Sequence, residues 1–425
     1  MTDTAASAQP SLIPEIEDFD DPTYDPFADA EAVFATDADP FSVMAGMRER
    51  GPVHEIEYRV ALGQASGATT TPGAKCFMVV AYEEAMEAIK NTAVFSNTIF
   101  DQILGLSFGK TITAMDPPEH TRYRRIFQRA FSPNVVSRWT DTLVDPVVDD
   151  LLSKITGKGK ADLIADFAQH YPFSVIYKLL ELPQQDVKVF HKLAVAETNL
   201  HVDPKWAIEA GQKLGRYFEG MIAERRARPG DDLVTTLTKV EADGEKIPDD
   251  LIISFLRQLM NAGGDTTFRA TSTLLGQLML HPEQYAMLVA DRSLMSRAID
   301  EVLRWDTPVL MMYRVAIQDT ELSGVKIPAG SLVQISQGAA NRDPAQFPDP
   351  DRFDITRTGT GGALRFGAGP HICIGMHLAR LEITRAMNAL MDRLPNLRLD
   401  PSMPPPQQRG SELRSPPHVH VLFDS

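Results

Sequence analysis

Cysteines, long apolar runs and basic clusters are all scarce in this chain of 425 residues. Its two cysteines, Cys76 and Cys373, do not make a disulfide framework and fit a reducing cytoplasm. No apolar run is long enough to span a bilayer, and the N-terminus lacks the positive and apolar regions of a signal peptide. With 42 basic and 57 acidic residues the net charge is −15, which argues against a nucleic-acid partner. We therefore expect a cytoplasmic protein without membrane segments, and nothing demands more than a monomer.

The spacing of apolar residues predicts a mainly α protein with small β-sheets. Residues 1–35 are acidic and contain prolines, which predicts a loosely packed tail. Strands are predicted at 53–58 and 76–81, and the spacing is mostly helical from 82 to 308. Short strands and turns follow, and a terminal hairpin is predicted around 418–422. Strands are therefore expected at the two ends of the chain, with helices between them.

One of the two cysteines lies in an unusual loop. The segment Phe366–Gly375 contains three glycines and a proline around Cys373, and an apolar-periodic segment beginning at Met376 predicts a helix directly after it. Backbone N–H groups and the helix dipole at a helix N-terminus favour a thiolate, and glycines let the backbone approach a flat group closely. Such a thiolate suits a haem iron. The alternative is that Cys373 is simply a small buried hydrophobic residue.

The loop pattern Phe-Gly-x-Gly-x-His-x-Cys-x-Gly resembles the ligand loop of the cytochromes P450, the haem-thiolate monooxygenases, here of the soluble bacterial type. The resemblance implies one catalytic domain at 36–425, in which a helix-rich part and a strand-rich part enclose haem b (iron protoporphyrin IX). It also implies that Cys373 is the axial iron ligand. Further haem contacts implied by the resemblance are Ala262, Gly263, Phe366, Gly367, Gly375 and Ala379.

The longest predicted helix covers residues 249–280. At about 1.5 Å per residue it would be about 48 Å long. Gly263 and Gly264 lie in its middle, and each costs about 1 kcal/mol against alanine. Close packing against another helix would explain either glycine alone. The resemblance implies instead that this face lies on the haem and is locally opened to admit dioxygen, with Asp265 and Thr266 as the acid–alcohol pair that relays protons.

Three charged residues match a structural cluster of the family. Glu301 and Arg304 share a helix face, and such a pair is commonly a weak surface interaction. The family has its Glu-x-x-Arg at this distance before the cysteine loop, and Arg352 falls at the family's second arginine. The resemblance therefore implies a bidentate cluster that fixes the segment before Cys373 to the core, and whose loss prevents haem incorporation.

His120 and Arg124 lie four residues apart at a predicted helix start, where a solvated basic face is the alternative. The resemblance makes them partners of a haem propionate, because a buried carboxylate needs cationic donors. It gives the same role to Arg314 and His371.

Arg122, Arg125 and Arg129 lie on the outer side of the same helix. They could be the docking site of an acidic iron–sulfur protein or ordinary solvated arginines, and the sequence leaves both open.

Substrate contacts are the least defined part of the prediction. Gln258 and Asn261 lie one turn before the glycine pair and either bind a polar group of the substrate or satisfy a neighbouring helix carbonyl. Paired methionines suit an adaptable apolar pocket, and residues 99–106 are expected to form a loop over the site. Three residues after the Glu-x-x-Arg helix are expected to line the cavity: Val309, Met311 and Met312.

The resemblance implies a monooxygenase that inserts one oxygen atom from O2 into an apolar small molecule, by hydroxylation or epoxidation. The chain has no cysteines for an iron–sulfur cluster and no flavin motif. Electrons are therefore expected from a separate ferredoxin and its NAD(P)H-dependent reductase. A peroxide-driven peroxygenase and a non-catalytic haem sensor or electron carrier are the alternatives. Neither needs the Asp265–Thr266 pair.

Overall fold

The computed structural model describes residues 11–21, 23–27, 35–36, 38–66, 73–200, 202–242 and 244–424. Helices dominate it, as the apolar spacing predicts. The α-helices of the described residues are α1 (Pro40–Arg50), α2 (Tyr58–Ala61), α3 (Tyr82–Lys90), α4 (Ile99–Phe108), α5 (Glu119–Ala130), α6 (Pro133–Trp139), α7 (Asp145–Ser153), α8 (Tyr171–Leu179), α9 (Val187–Thr198), α10 (Pro204–Ala227), α11 (Leu233–Lys239), α12 (Asp249–Leu280), α13 (Pro282–Ala290), α14 (Met295–Trp305), α15 (Gln337–Asn341) and α16 (Met376–Arg393).

Shorter helical turns connect several of these helices. Turns of 3-10 helix are Ile112–Ala114, Gln184–Asp186, Arg292–Leu294 and Gly369–His371, and π-helical turns are Thr140–Val144 and Ile164–Ala168.

The strands are short and gather into small sheets. They are β1 (Val53–His54), β2 (Cys76–Val79), β3 (Phe95–Ser96), β4 (Lys160–Asp162), β5 (Glu241–Ala242), β6 (Glu245–Lys246), β7 (Met311–Ala316), β8 (Thr320–Leu322), β9 (Val325–Ile327), β10 (Leu332–Ser336), β11 (Arg398–Leu399) and β12 (His420–Leu422).

The largest sheet joins the two ends of the chain, in the order β1-β2-β10-β7-β3. Its strand β10 runs parallel to β2 and antiparallel to β7. A second sheet has the order β11-β12-β4, and two hairpins, β5–β6 and β8–β9, complete the set. The prediction of strands near both ends is confirmed, although β1 and β2 are shorter than predicted.

Helix α12 is the element around which the helical core packs. It extends over 32 residues with the predicted bounds. Asp249 and Asp250 in the first turn complement the positive end of the helix dipole, and Pro282 directly after His281 starts the next helix. Most of its side chains are buried in the largest hydrophobic core cluster. A second cluster lies on the five-stranded sheet, and the site lies between these two cores.

The N-terminal prediction is wrong in the part that the structure describes. Phe19 is only 5% exposed, and Tyr24 stacks on Trp206 with ring centroids 5.1 Å apart. The Lys213 ammonium donates to the Asp18 carbonyl over 2.6 Å. The acidic composition hid these few aromatic anchors, which bury enough apolar surface to hold the segment on α10. Residues 1–10, 22 and 28–34 of the predicted tail lie outside the described residues.

Two other local predictions are also corrected. Residues 99–106 belong to helix α4 rather than to a loop, because the apolar side chains continue to Phe108 and Gly109, at φ +74°, ends the helix. The C-terminal strand β12 does not form a hairpin. It lies between β11 and β4, with His420 paired to Asp162.

Candidate active site

A cavity of about 510 Å³ lies between α12, the loop before α16 and strand β7. Six residues of α12 line it, and they recur at the three- and four-residue spacing of one helix face. These residues are Leu259, Ala262, Gly263, Thr266, Thr267 and Ala270. From the cysteine loop and α16 come Phe366, Gly367, His371, Cys373, Gly375 and Ala379. The predicted contacts on both sides of the cavity are thus brought together.

The cysteine loop presents the Cys373 thiol to this cavity. Its backbone N–H donates to the Phe366 carbonyl over 2.8 Å, and Gly367 adopts φ +73°, a conformation that side chains disfavour. Helix α16 begins three residues after the cysteine, as predicted. Burial raises the pKa of the thiol, and this outweighs the lowering by the N–H groups of Gly375 and Met376 and by a nearby arginine. The N–H groups at the helix N-terminus thus act in the predicted direction, although burial has the larger effect.

Two arginines and two histidines gather beside the loop. The His120 and His371 rings lie 3.9 Å apart between centroids, and Arg124 donates to the Ile372 carbonyl. Arg314 is 0% exposed, and among the described residues its side chain donates only to the carbonyl of the preceding residue. Burial lowers the pKa of Arg314 to about 10 and that of His120 to about 4. Asp116 acts to raise both pKa values, but the effect of burial is larger.

Several nitrogens of this cluster have no hydrogen-bond partner within the described structure. They are both ring nitrogens of His120, Nε2 of His371, and Nε and Nη2 of Arg314. Buried donors without partners cost about 1–3 kcal/mol each, so native proteins seldom keep them without a reason. A bound carboxylate would satisfy them. The cluster, the cavity and the cysteine therefore fit a planar iron cofactor with carboxylate side chains, which is the chemistry of haem.

Helix α12 crosses the cavity without a break, so the predicted local opening is not seen. The Thr266 hydroxyl donates to the Ala262 carbonyl over 2.8 Å, within a helix that is continuous. The glycine pair serves helix packing. A Cβ on Gly263 would lie 2.6 Å from Ile176, and one on Gly264 would lie 2.3 Å from Phe173, both on α8. Close packing, the simpler explanation, accounts for both glycines.

Asp265 lies beside the cavity rather than on its wall. Its carboxylate accepts from Arg269 Nε over 2.8 Å, one helical turn further along α12. The same guanidinium reaches the Leu413 carbonyl and the Ser415 hydroxyl at 3.5 Å. Arg269 was not predicted, although its spacing of four residues from Asp265 is the usual signal for a helical ion pair.

The structural cluster forms with a different second arginine. Arg304 donates to both oxygens of Glu301 over 2.8 Å, and Arg357, not Arg352, adds a bond of 3.0 Å. Arg352 is 71% exposed and lies 3.6 Å from Asp354. Only its backbone carbonyl joins the cluster, where it accepts from both arginines. The structure thus brings Glu301 and Arg304 together as predicted, and it leaves the side chain of Arg352 outside the cluster.

The two predicted amides do not line the cavity. Gln258 Nε2 lies 2.9 Å from the Thr113 hydroxyl, and Asn261 Nδ2 is buried away from the cavity without a partner in the described structure. Asn261 falls off the helix face of Leu259 and Ala262, which the spacing of residues along α12 could have shown. Gln258 is four residues before Ala262 and borders that face, but its amide is engaged by Thr113.

Other side chains complete the wall. The predicted residues Val309, Met311 and Met312 line it, and helix α4 adds Phe100, Ile103 and Leu104. The cavity also has a polar part that the sequence did not indicate, made of Glu57, Arg59, Tyr313, Gln334, Gln337 and Glu412. The Tyr313 hydroxyl donates to Glu412 over 2.5 Å, and burial raises the pKa of the Glu412 carboxyl. These polar residues are distant in sequence, so no local motif marks them.

Comparisons with known proteins agree with this site. The family model for Cytochrome P450 matches residues 205–422. The chain is 36% identical to a putative cytochrome P450 133B1 of Xylella fastidiosa, over 72% of this chain and 77% of that protein. It is 32% identical to the 6-deoxyerythronolide B hydroxylase of Saccharopolyspora erythraea, over 84% and 89% of the two chains.

A solved structure gives the same result. The polyketide synthase cytochrome P450 PksS of Bacillus subtilis superposes with a TM-score of 0.80 at 28% identity, over 91% of this chain and 97% of that one. The chain therefore belongs to the cytochrome P450 family, whose members bind haem, and it is a monooxygenase. Among the described residues, no helix combines the length and the apolar character that a membrane span requires.

Proposed function

We propose that this chain binds haem b through Cys373 and inserts one oxygen atom from O2 into a C–H or C=C bond of a largely apolar small molecule. The observation that carries the proposal is the set of unpartnered buried nitrogens of His120, His371 and Arg314, which lie beside a cavity that also holds the thiol. Such a set needs a carboxylate-bearing cofactor to be satisfied. Bound there, the haem would supply dioxygen activation, which thiolate ligation favours.

The protein side chains divide the remaining tasks. His120, Arg124, Arg314 and His371 hold the propionates, and Ala262, Gly263, Phe366, Gly367, Gly375 and Ala379 contact the macrocycle. Glu301, Arg304 and Arg357 keep the segment before the cysteine in place. These roles rest on the closeness of the residues to the cavity or to one another.

Proton delivery is assigned to Thr266 and Asp265. The Thr266 hydroxyl lies on the cavity wall and donates to the Ala262 carbonyl, so a small rotation lets it donate to a group inside the cavity. Asp265 is 28% exposed on its side chain and held by Arg269. It can take a proton from solvent and pass it to the hydroxyl only after it releases the guanidinium. Arg269 thus controls when Asp265 is free to act.

The cavity wall favours a substrate with an apolar body and one polar end. Val309, Met311 and Met312, together with the α4 side chains, offer an adaptable apolar surface. Glu57, Arg59 and Gln334 can bind a hydroxyl or an amine of the substrate. A structural neighbour, CYP109E1 of Bacillus megaterium, was solved with corticosterone at 26% identity and a TM-score of 0.79, which supports a bulky apolar substrate.

Electrons are assigned to a separate ferredoxin and its NAD(P)H-dependent reductase in the cytoplasm. Arg124 of α5 bonds to the cysteine loop, so the exposed Arg125 and Arg129 of the same helix lie near that loop. Exposed arginines there suit an acidic redox protein. The enzyme acts as a monomer in this proposal.

The first experiment is the absorption spectrum of the dithionite-reduced protein with carbon monoxide. A strongly red-shifted Soret band is expected for the natural chain. Cys373→His should keep haem and lose the shift, because a neutral imidazole replaces the thiolate. An unshifted band in the natural chain would contradict the thiolate assignment.

A turnover experiment then tests the proton relay. With NADH, ferredoxin and reductase, Thr266→Ala should lower product formed per NADH by about tenfold or more, since a positioned proton donor contributes about 10²–10⁴-fold. Thr266→Ser keeps the hydroxyl and is the matched control, expected to stay coupled. Turnover with peroxide alone, and none with the redox partners, would overturn the monooxygenase cycle in favour of a peroxygenase.

A further inference from the structure

A second group of ligand side chains lies on the small sheet of β11, β12 and β4. Asp162, His418 and His420 each offer a ligand atom, and these atoms all lie within 4.8 Å of one another. None of the three residues lines the cavity. The group is therefore independent of the haem site and of the function proposed above.

Strand geometry explains why these side chains meet. His418 and His420 are two residues apart, so their rings point to the same face of the strand. The rings stack with centroids 5.2 Å apart and an interplanar angle of 12°. His420 is the direct antiparallel partner of Asp162 on β4, and directly opposed side chains in a sheet lie close together.

The carboxylate is held in position before any ligand arrives. One oxygen of Asp162 accepts from the backbone N–H groups of Val419 and Ile164, over 3.0 and 3.1 Å. The other lies 2.7 Å from His418 Nδ1. Burial alone would raise the pKa of Asp162, but the hydrogen bonds from His418, Val419 and Ile164 hold it below its usual value. The aspartate is therefore an anion with one oxygen directed at the imidazole pair.

Neighbouring charges on the sheet are of both signs. Asp400, whose N–H donates to the His420 carbonyl over 3.0 Å, adds a second carboxylate beside the imidazoles, and Asp166 bonds to the Asp162 backbone over 3.0 Å. Lys160 lies two residues before Asp162 on β4 and is the opposing positive charge. Arg398 on β11 lies in register with Leu422 and Lys160 and is paired with Asp424 over 3.4 Å. Carboxylates therefore outnumber the free cations on this face, which makes it attractive to a dication.

We propose that Asp162, His418 and His420 form a binding site for Zn²⁺. Two imidazole nitrogens and one carboxylate oxygen are ordinary zinc ligands, at about 2.0–2.2 Å from the metal, and water supplies the fourth position. The metal replaces the proton between His418 Nδ1 and Asp162, and the 2.7 Å separation opens slightly as both atoms turn toward it. The bound ion links β12, near the end of the chain, to β4.

The test uses the full-length, haem-loaded protein without an affinity tag, titrated with Zn²⁺ against a chromophoric zinc chelator. One equivalent of Zn²⁺ per chain is expected, with a higher Tm, because the ion binds only the folded sheet. His418→Ala and His420→Ala should each weaken binding at least tenfold, and the double variant should abolish the Tm shift. Asp162→Asn should also weaken binding, because the amide no longer supplies the anion.

His170→Ala is the matched control, since His170 is exposed on the surface away from this sheet, and it should bind Zn²⁺ unchanged. The carbon monoxide spectrum of each variant confirms that it is folded. Equal zinc affinity of the natural chain and the double histidine variant would overturn the proposal. Equal affinity for Mg²⁺ and Zn²⁺ would do the same, because nitrogen ligands favour zinc and Mg²⁺ prefers oxygen.

Discussion

Two groups of buried basic side chains in this molecule differ in how they are satisfied. In the first, Glu301 accepts two bonds from Arg304 and one from Arg357, and both guanidinium groups also donate to backbone carbonyls. In the second, His120 and Arg314 keep nitrogens without partners among the described residues. The first group is completed by the chain itself, whereas the second is completed only by a ligand.

This difference separates folding from cofactor binding. A fully bonded buried ion cluster fixes the surrounding segments, and removal of one member leaves an uncompensated charge. An incomplete cluster makes the chain without ligand less stable than it could be, and binding recovers that cost. Burial is the main cause of the lowered pKa values of Arg314 and His120, and the carboxylate of Asp116 offsets it only in part.

The largest expected effect comes from breaking the complete group. Arg357→Ala removes the 3.0 Å bond to Glu301 and three bonds to carbonyls. The free energy of unfolding should fall by about 3–5 kcal/mol, because a bond to a charged group contributes about 1.5–3 kcal/mol and an ordinary bond about 1 kcal/mol. Urea unfolding followed by circular dichroism measures this loss. We also expect poor haem incorporation, because the segment before the cysteine loop would be released.

Arg352→Ala is the matched control for that change. The Arg352 side chain is 71% exposed, so its removal should change the free energy of unfolding by less than about 0.5 kcal/mol. Equal losses for the two variants would show that the cluster does not use Arg357 as the structure indicates.

Breaking the incomplete group should have the opposite effect on the chain alone. Arg314→Met removes a buried charge that no carboxylate of the described residues hydrogen-bonds, so haem-depleted protein should be as stable as the natural chain or more stable. The same change should speed haem loss to a haem-scavenging globin about 10–100-fold, because a hydrogen bond to a charged group contributes about 1.5–3 kcal/mol. Arg314→Lys keeps the charge and should fall between the two. A loss of stability without faster haem release would contradict the assignment.

The sequence predicts best those features in which chemistry and spacing are local. The Cys373 loop, helix α12 and the Glu301–Arg304 pair each depend on a few neighbouring residues, and the structure has all three where expected. Arg352 and Arg357 show the limit. They lie five residues apart in an irregular segment, and only the path of the backbone decides which side chain turns inward.

Tertiary contacts decide the remaining features. The polar part of the cavity combines side chains from positions as distant as Glu57 and Glu412, which no local pattern can connect. The packing of Phe19 depends on Trp206 in the same way. By contrast, the position of Asn261 off the cavity face could have been predicted from the helical repeat alone, whereas Gln258 is kept from the wall by its contact with Thr113.

Between the two extremes lies a third buried pair, Glu197 and Arg257. Arg257 Nε donates to Glu197 Oε1 over 2.7 Å, while Oε2 has no partner in the described structure. Burial raises the pKa of Glu197 to about 7, although Arg257 acts to lower it. One oxygen of Glu197 has a partner, as in the Glu301 cluster, and the other has none among the described residues. We therefore expect replacement of Glu197 to change the free energy of unfolding by an intermediate amount that depends on pH.

The sign follows from the raised pKa. Between the ordinary pKa of a glutamate and about 7, the folded chain holds a proton on Glu197 that the unfolded chain has released. The contribution of Glu197 to stability is therefore complete in acid and is lost as pH rises through this range, by at most about 1.4 kcal/mol per pH unit.

Glu197→Gln cannot titrate, so its free energy of unfolding should rise relative to the natural chain as pH increases from 5 to 7.5. Loss of the ion pair changes the free energy of unfolding of this variant by the same amount at every pH. The control is Glu219→Gln, which changes an exposed carboxyl, and its free energy of unfolding should depend on pH as that of the natural chain does. If the free energy of unfolding of Glu197→Gln also follows the natural chain at every pH, the oxygen without a partner does not destabilise the fold. The number of completed hydrogen bonds would then not distinguish the Glu301 cluster, the His120–Arg314 group and the Glu197–Arg257 pair.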